Sequence, residues 1–169
     1  MQKHVFFADR KDEYHVKRWA GPRFYYSHQV DGTLGNRLEN AFESVFRRGC
    51  QKAIVVASDV PDLSAKTINE AITSLDQYDI VIGPTYDGGY YLLGLKELYR
   101  SLFHNISWST EEVLGETLSI AEELGLSVHL LRYLFDIDTE EGLRMWMSKA
   151  TTDCHPILGY LKSNGYAVT

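Results

Sequence analysis

An aspartate, Asp59, lies just past the apolar run at 53–57, between Ser58 and Val60, and Pro61 follows. A short run rich in β-branched residues is typical of a strand covered on both faces, and open α/β sheets bind ligands at the carboxyl ends of such strands. A carboxylate there could hold Mg²⁺ or Mn²⁺ against the phosphates of a substrate, since hard cations prefer oxygen ligands. The same residue could simply cap the next turn, and the local sequence leaves both interpretations open.

A second carboxylate, Asp87, is followed by Gly88, Gly89 and two tyrosines, Tyr90 and Tyr91. Two residues without side chains would let the backbone approach a ligand closely, and the tyrosines could stack on it or donate hydrogen bonds. The alternative is a tight turn before a strand with two partly buried tyrosines. The binding interpretation therefore depends on Asp59 lying nearby.

A third acidic segment contains Asp136 and Asp138, separated by one residue. Alternation along an extended chain places both carboxylates on one side, which suits chelation of a divalent cation. Asp138 also fits a helix N-cap, whereas Asp136 has no such local explanation.

The loop before the first long helix runs from Gln29 through Gly32 and Gly35 to Arg37. Backbone amides at that helix start, together with Arg37, could hold an anion. A glycine-containing turn followed by a surface arginine is the simpler alternative.

Apolar spacing predicts strands that alternate with helices around these candidates. The predicted strands are 4–8, 53–57, 80–82, 90–95 and 128–131, and helices are predicted after Leu34, Ser64, Ser109, Asp138 and Pro156. Ser109 with Glu112 and Asp138 with Glu141 both resemble capping boxes. This alternation indicates one α/β domain over residues 1–169 with a mostly parallel sheet.

Composition excludes several classes of protein. The formal net charge is −6 and Lys/Arg residues do not cluster, so no nucleic-acid-binding surface is expected. No apolar run approaches the ~18 residues of a membrane span and no signal peptide is visible, so we expect a cytoplasmic protein. Cys50 and Cys154 lack a C-x-x-C spacing, which argues against a structural zinc site.

Taken in order, the motifs of this chain resemble one group of bacterial transferases. They are Gly32-Thr-Leu-Gly-Asn-Arg37, Ser58-Asp-Val-Pro61, Gly83-Pro with Asp87-Gly-Gly-Tyr-Tyr-Leu-Leu-Gly94, Ile106-Ser-Trp-Ser-Thr110 and Asp136-Ile-Asp-Thr139. The group is the glycosyltransferase-A-like family of the selenodomain-associated type. It is similar to 2-phospho-lactate guanylyltransferase and to the molybdenum-cofactor nucleotidyltransferases. The resemblance extends over about residues 4–143.

The resemblance implies a nucleotide-diphospho-sugar transferase-like, Rossmann-like three-layer sandwich. It also implies Mg²⁺ or Mn²⁺, a nucleotide or nucleotide-sugar substrate and a small-molecule acceptor. Asp59 would be the principal metal ligand and Asp136 with Asp138 would complete the site, while the loop 87–90 would line the acceptor or sugar pocket. On this basis the candidate catalytic residues are Asp59 and Asp87, and the candidate substrate-binding residues are Arg37, Gly88, Gly89 and Tyr90.

Members of the resembled group open with a strand, a Gly- and Lys-containing loop and a long helix that hold the nucleotide. This sequence begins at what resembles their second strand, so we expect that first unit to be missing. In that fold the first strand lies centrally, between the counterparts of 4–8 and 53–57. Its loss would leave those strands paired directly, or an open edge that a partner or a second copy could fill.

Two functions compete at this point. The first is a metal-dependent nucleotidyl- or glycosyltransferase, and the second is a non-catalytic remnant of the fold that serves as a binding or oligomerisation module. A phosphatase-like hydrolase with an aspartyl nucleophile fits less well, because no second aspartate follows Asp59 at Asp-x-Asp spacing.

Overall fold

The main sheet of the protein is built from four strands that meet in a non-sequential order. The computed structural model describes residues 2–149 and 156–163, so Cys154 lies outside the described residues. In order across the sheet, the strands are β3 (Ala53–Val56), β5 (Tyr90–Leu95), β4 (Ile80–Pro84) and β6 (Val128–Leu130). A separate parallel pair contains β1 (His4–Phe7) and β2 (Tyr25–His28).

Strand direction follows from the connections between these strands. β4 and β6 run parallel, whereas β5 is antiparallel to both β3 and β4. Three of the four strands therefore share one direction, although two of the three ladders in this sheet are antiparallel, where mostly parallel pairing was predicted. β5 is reversed because a short loop containing Gly88, at φ +92°, connects it directly to β4. A parallel neighbour would need a crossover of a dozen or more residues.

The described residues contain six α-helices and two short 3-10 helices, Arg10–Asp12 and Arg100–Phe103. The α-helices are α1 (Glu13–Ala20), α2 (Leu34–Phe46), α3 (Ala65–Ser74), α4 (Val113–Glu123), α5 (Glu140–Lys149) and α6 (Pro156–Ser163). No helix in this part of the chain is long and apolar enough to cross a membrane.

Two apolar clusters lie on opposite faces of the main sheet. On one face, Ile80, Ile82 and Leu93 pack with residues of α2 and α4, including Phe42 and Ala121. The opposite face carries Val81, Leu92, Ala71 and Leu75, of which Ala71 belongs to α3. Helices therefore cover both faces, which is the three-layer sandwich that the resemblance implies.

The first residue of each helix shows whether its predicted N-cap is correct. Ser64 caps α3 as predicted, because its side chain accepts a hydrogen bond from the Thr67 amide. The predicted box at Ser109 is wrong, since α4 begins only at Val113 and Ser109 has a φ of +66°. The box at Asp138 is also wrong, because the α5 start is shifted by one residue.

Thr139 caps α5 in place of Asp138. Its hydroxyl accepts a hydrogen bond from the Gly142 amide at 3.0 Å, and its carbonyl accepts one from the Leu143 amide. Three residues separate a cap from the amide that it satisfies, so the Thr139–Gly142 pair fits this geometry. Asp138 therefore does not cap α5, which was the alternative explanation for this aspartate.

The strand β2 was not predicted from the sequence, and it is the pairing partner of β1. β1 pairs with β2 in parallel, while β3 pairs with β5. Among the described residues no ladder joins β1 to β3. Of the two outcomes expected from the resemblance, the structure shows the open edge and excludes direct pairing.

Candidate functional site

The acidic residues singled out above follow the carboxyl ends of strands in the main sheet. Asp59 comes after β3, Asp87 lies in the loop after β4, and Asp136 follows the continuation of β6. Because β3, β4 and β6 share one direction, these segments leave the sheet at the same edge. Three segments that are distant in sequence therefore meet at one rim.

Backbone hydrogen bonds fix the third acidic segment against the other two. The Leu134 amide donates to the Pro84 carbonyl at 3.1 Å, and Thr85 and Leu134 form an isolated parallel bridge. Three residues further on, the Ile137 amide donates to the Asp59 carbonyl at 3.0 Å. The position of the segment between these two anchors is thus set by the main chain.

The carboxylates interact with one another at this rim. Burial first, and then the charges of Asp87, Asp138 and Asp59, raise the pKa of Asp136 to about 6. The pKa of Asp138 is raised as well, first by burial and then by the charge of Asp59 and a side-chain hydrogen bond with it. Like charges held together destabilise the ionised forms. The four aspartates together are called the acidic rim below.

Asp87 is held in place by its own loop. The Thr85 hydroxyl donates to its Oδ1 at 2.5 Å, and the Gly89 amide donates to the same oxygen at 3.0 Å. Thr85 is only 3 % exposed, so the loop conformation is anchored in the core. The sequence analysis missed Thr85, although a threonine two residues before an aspartate in a glycine-rich turn is a usable signal.

Close packing around this loop explains why residues 88 and 89 are glycine. A Cβ on Gly88 would lie 2.2 Å from the carbonyl oxygen of Glu111, and the Gly88 carbonyl accepts a hydrogen bond from the Leu114 amide. A Cβ on Gly89 would lie 3.2 Å from the Thr85 hydroxyl. Gly88 therefore allows the loop to approach the start of α4, and contact of either glycine with a substrate stays a prediction.

Tyr90 is directed into the core. Its ring meets Trp108 edge-on at 6.4 Å between centroids, and burial raises the pKa of its hydroxyl. The hydroxyl lies close to Thr117, yet no described atom meets hydrogen-bond geometry with it. These contacts correspond to the partly buried tyrosine that the sequence left as an alternative, so substrate binding by this side chain stays a prediction.

Arg37 lies in the first turn of α2. Thr33 caps this helix by accepting from the Asn36 amide, and the Asn36 side chain accepts from the Thr33 amide in return. The Nε of Arg37 is buried and has no hydrogen-bond partner among the described residues. An unsatisfied buried donor is unfavourable, so this atom favours an anionic partner.

A further carboxylate, Asp62, connects the loop after β3 to α5. The Trp146 indole donates to its Oδ2 at 2.9 Å, and Arg132 donates to its carbonyl at 3.3 Å. Trp146 is 1 % exposed and belongs to α5, which follows the acidic segment at 136–138. This long-range contact links the loop after β3 to α5, and nothing in the local sequence signals it.

The donor set of the acidic rim suits a hard divalent cation. All four side chains are carboxylates, and a cation between them would relieve the repulsion that raises the pKa of Asp136. Within residues 2–149 and 156–163, however, no three His, Cys, Asp or Glu side chains have the arrangement of a preformed metal centre. Cation binding would therefore require the carboxylates to move closer to one another.

The three-layer sandwich, with acidic residues at the carboxyl rim of its sheet, places the chain in a structural class. It superposes with a TM-score of 0.90 and 26% identity on a protein from Desulfovibrio desulfuricans G20 provisionally assigned as a nucleotide-diphospho-sugar transferase. The match covers 99% of this chain and 75% of that chain. The fold is thus that of the nucleotide-diphospho-sugar transferases.

The chain belongs to the DUF2064 family, described as an uncharacterized protein conserved in bacteria. The family model matches residues 1–110, which is more than half of the chain. No curated protein matches the sequence.

More distant structures share the fold alone. The 4-diphosphocytidyl-2C-methyl-D-erythritol synthase of Anaerococcus prevotii DSM 20548 superposes with a TM-score of 0.61 at 12% identity, over 89% of this chain and 79% of that one. Rv0371c of Mycobacterium tuberculosis H37Rv gives 0.55 at 14% identity, over 85% and 74% respectively. The resemblance to transferases suspected from the motifs is therefore confirmed at the level of family and fold.

Proposed function

We propose that this protein is a metal-dependent transferase that acts on a nucleotide or nucleotide-sugar in the cytoplasm. The observation that carries the proposal is the acidic rim, in which carboxylates from three segments meet at the carboxyl end of a nucleotide-diphospho-sugar transferase fold. Perturbed carboxylates grouped at a sheet edge are a recognised mark of functional sites.

The proposed metal is Mg²⁺ or Mn²⁺, held by Asp59, Asp136 and Asp138. When bound, it would neutralise the charge that develops on substrate phosphates. The contact between Asp59 and Asp138 supports this assignment, because two carboxylates in that position repel each other unless a proton or cation lies between them. Asp87 completes the acidic rim and is the proposed catalytic partner of Asp59.

Substrate positioning is proposed for two further segments. The buried Nε of Arg37 and the first turn of α2 are the proposed site for an anionic group of the substrate. The loop containing Gly88, Gly89 and Tyr90 is proposed to border the acceptor or sugar. Its backbone is held rigidly by Thr85, so it can position a ligand.

Two reactions fit this arrangement, and their products distinguish them. In nucleotidyl transfer, an acceptor oxygen attacks the α-phosphorus of a nucleoside triphosphate and pyrophosphate leaves. In glycosyl transfer, an acceptor oxygen attacks the anomeric carbon and a nucleoside diphosphate leaves. Both depend mainly on positioning and charge stabilisation.

The direct test is a thermal-shift screen of nucleoside triphosphates and nucleotide-diphospho-sugars, each with Mg²⁺ or Mn²⁺. A ligand present at about 100 times its Kd should stabilise the native chain by about 2.7 kcal/mol. A ligand found in this way is then tested for release of pyrophosphate or nucleoside diphosphate.

Asp59→Asn is the matched variant for this screen. It should lose the metal-dependent stabilisation while the free protein keeps its fold and its melting temperature does not fall, since the change removes only one charge of the acidic rim. If no nucleotide stabilises the wild-type chain with either metal, the transferase proposal fails and the non-catalytic module is favoured.

A further inference from the structure

Three aromatic rings lie against one another in the segments that carry the acidic rim. The ring of Tyr86 stacks on that of Phe135 at 4.3 Å between centroids, with 25° between the planes, and it meets the ring of Tyr133 at 5.4 Å. Tyr86 immediately precedes Asp87, and Phe135 immediately precedes Asp136. The rings and two of the four carboxylates therefore belong to the same two segments. The three aromatic residues are called the aromatic platform below.

The platform is anchored to the core of the protein on its inner side. The Thr85–Leu134 bridge aligns the two segments one residue before the stacked pair. Phe135 then packs against the apolar cluster around Trp146. The ring of Tyr86 is therefore positioned before any ligand arrives, and a preorganised side chain lowers the entropy cost of binding.

The outer rings of the platform are accessible to solvent. Tyr86 is 60 % exposed and Tyr133 is 46 % exposed. Isolated exposed aromatic residues are ordinary, whereas a group of them beside the polar residues of a candidate site is typical of a binding surface. The platform therefore offers a ligand a flat apolar surface next to charged oxygens.

The carboxylate of Asp87 has one oxygen fixed by its own loop and one oxygen available. Its Oδ1 accepts the two hydrogen bonds from Thr85 and Gly89 described above. Within residues 2–149 and 156–163, no hydrogen bond is made to its Oδ2, and the residue is exposed. A carboxylate oxygen of this kind can accept a hydrogen bond from a ligand hydroxyl.

We propose that Tyr86 stacks on a saturated, hydroxyl-bearing ring of the acceptor, the chemistry of a sugar or a cyclic polyol, while Asp87 Oδ2 accepts a hydrogen bond from a hydroxyl of that ring. Such a ring carries C–H groups on its faces and hydroxyls along its edge. It therefore matches an aromatic face bordered by a carboxylate. The inference rests on the proposed transferase function and names the class of its acceptor.

Two other occupants fit the surface less well. A nucleobase could stack on Tyr86, but both reactions considered above need an acceptor oxygen beside Asp87, and a base ring carries no hydroxyl. An acceptor phosphate supplies an oxygen, but the charge of Asp87 would repel it. A ring hydroxyl meets both requirements.

An NMR titration of the metal-free full chain, with isotope-labelled tyrosine, tests the platform apart from any transfer reaction. The probes are myo-inositol and sorbitol, which carry the same number of hydroxyls, in a ring and in an open chain respectively. Myo-inositol should shift the ring signals of Tyr86 in a saturable manner. Sorbitol should bind about tenfold more weakly, because an open chain has no ring face to stack. Uracil, a planar ring without hydroxyls, should bind more weakly than myo-inositol.

Variants at residue 86 separate the ring from its hydroxyl, with the signals of Tyr133 reporting on binding. Tyr86→Phe keeps the ring and should keep the affinity for myo-inositol, whereas Tyr86→Ala should weaken it about tenfold. The matched control is Tyr14→Ala, which removes a tyrosine that is 67 % exposed on α1 and should leave the affinity unchanged. The comparison of probes on the wild-type chain decides the question even if Tyr86→Ala fails to fold.

Equal affinity for myo-inositol and sorbitol, stronger binding of uracil, or full affinity in Tyr86→Ala would overturn the proposal. So would a Tyr86 signal that does not respond to myo-inositol. The outcome is separate from that of the nucleotide screen. Stabilisation by a nucleotide without a response of Tyr86 would refute the platform and keep the transferase, and the reverse pattern would refute the transferase and keep a ring-binding surface.

Discussion

In the interior of the main sheet the side chains stabilise the fold by packing, whereas at the acidic rim the carboxylates repel one another. All five residues of β4 are buried, and Gly83 lies so close to the ring of Tyr91 that a Cβ would fall 2.4 Å from it. Every group there contributes to stability by packing. At the rim, a few residues further along the same strands, burial and the charges of neighbouring carboxylates raise the pKa of Asp136 and Asp138. The sheet therefore stabilises the fold and holds together charges that separate when it unfolds.

Removing a group should therefore change the free energy of unfolding in opposite directions in the two regions. In the interior, truncation loses contacts and leaves a cavity. At the rim, neutralising a carboxylate removes repulsion and leaves the packing unchanged. Strain of this kind persists where the surrounding structure imposes it, and it is common at functional sites.

The largest effect is expected for Phe42→Ala in the interior. Phe42 is fully buried and its ring lies 5.7 Å from that of Phe103 and 6.2 Å from that of Phe46. Removing a buried aromatic ring costs about 3–5 kcal/mol. The free energy of unfolding, measured by urea denaturation, should fall by that amount. A change below about 1 kcal/mol would show that this cluster does not stabilise the fold as its packing indicates.

A smaller effect of opposite sign is expected for Asp136→Asn. This carboxylate is partly buried among like charges, so its neutral isostere should stabilise the metal-free protein at pH 7. After allowance for solvent screening we expect about 1 kcal/mol, or about 2–4 °C in Tm for a chain of this size. The matched control is Asp31→Asn, an exposed aspartate outside the rim, which should leave Tm unchanged. A fall in Tm for Asp136→Asn would contradict a repulsive rim.

The smallest effect concerns pH. The folded-state pKa of Asp136 is raised to about 6, so the folded protein binds this proton more tightly than the unfolded chain. Its contribution to stability is fully present below the unfolded pKa and is lost as pH rises through about 6. The difference in unfolding free energy between wild type and Asp136→Asn should therefore grow between pH 5 and pH 7. A difference that stays constant with pH would refute this titration.

Local patterns in the sequence predicted the parts of the molecule that depend on local physics. The apolar run at 53–57, the Ser64 cap and the reversal at Gly88 each have their cause within a few residues. β2 escaped prediction because Tyr25-Tyr-Ser-His28 lacks an apolar alternation and gains its strand conformation from pairing with β1. The cap of α5 was misplaced because aspartate and threonine are both common caps, and only the structure shows that Thr139 fills this position.

The candidate site was predictable in part for a similar reason. Carboxyl ends of strands with a common direction meet at one edge, so the meeting of Asp59 with the segment at 136–138 could be inferred without coordinates. Asp62 was missed because its importance comes from a contact across the fold, to Trp146, whereas Thr85 was missed although its hydrogen bond to Asp87 is local. The burial of Tyr90 likewise follows from helix packing that no local pattern reveals.

The most direct test of the acidic rim as a cation site is a titration of the protein with Mn²⁺, followed by electron paramagnetic resonance of the free ion. Wild-type chain and the control Asp31→Asn should bind one ion per chain with equal affinity, whereas Asp59→Asn should lose that binding while keeping its circular dichroism spectrum. Undiminished Mn²⁺ binding in Asp59→Asn, or none in the wild type, would contradict the account.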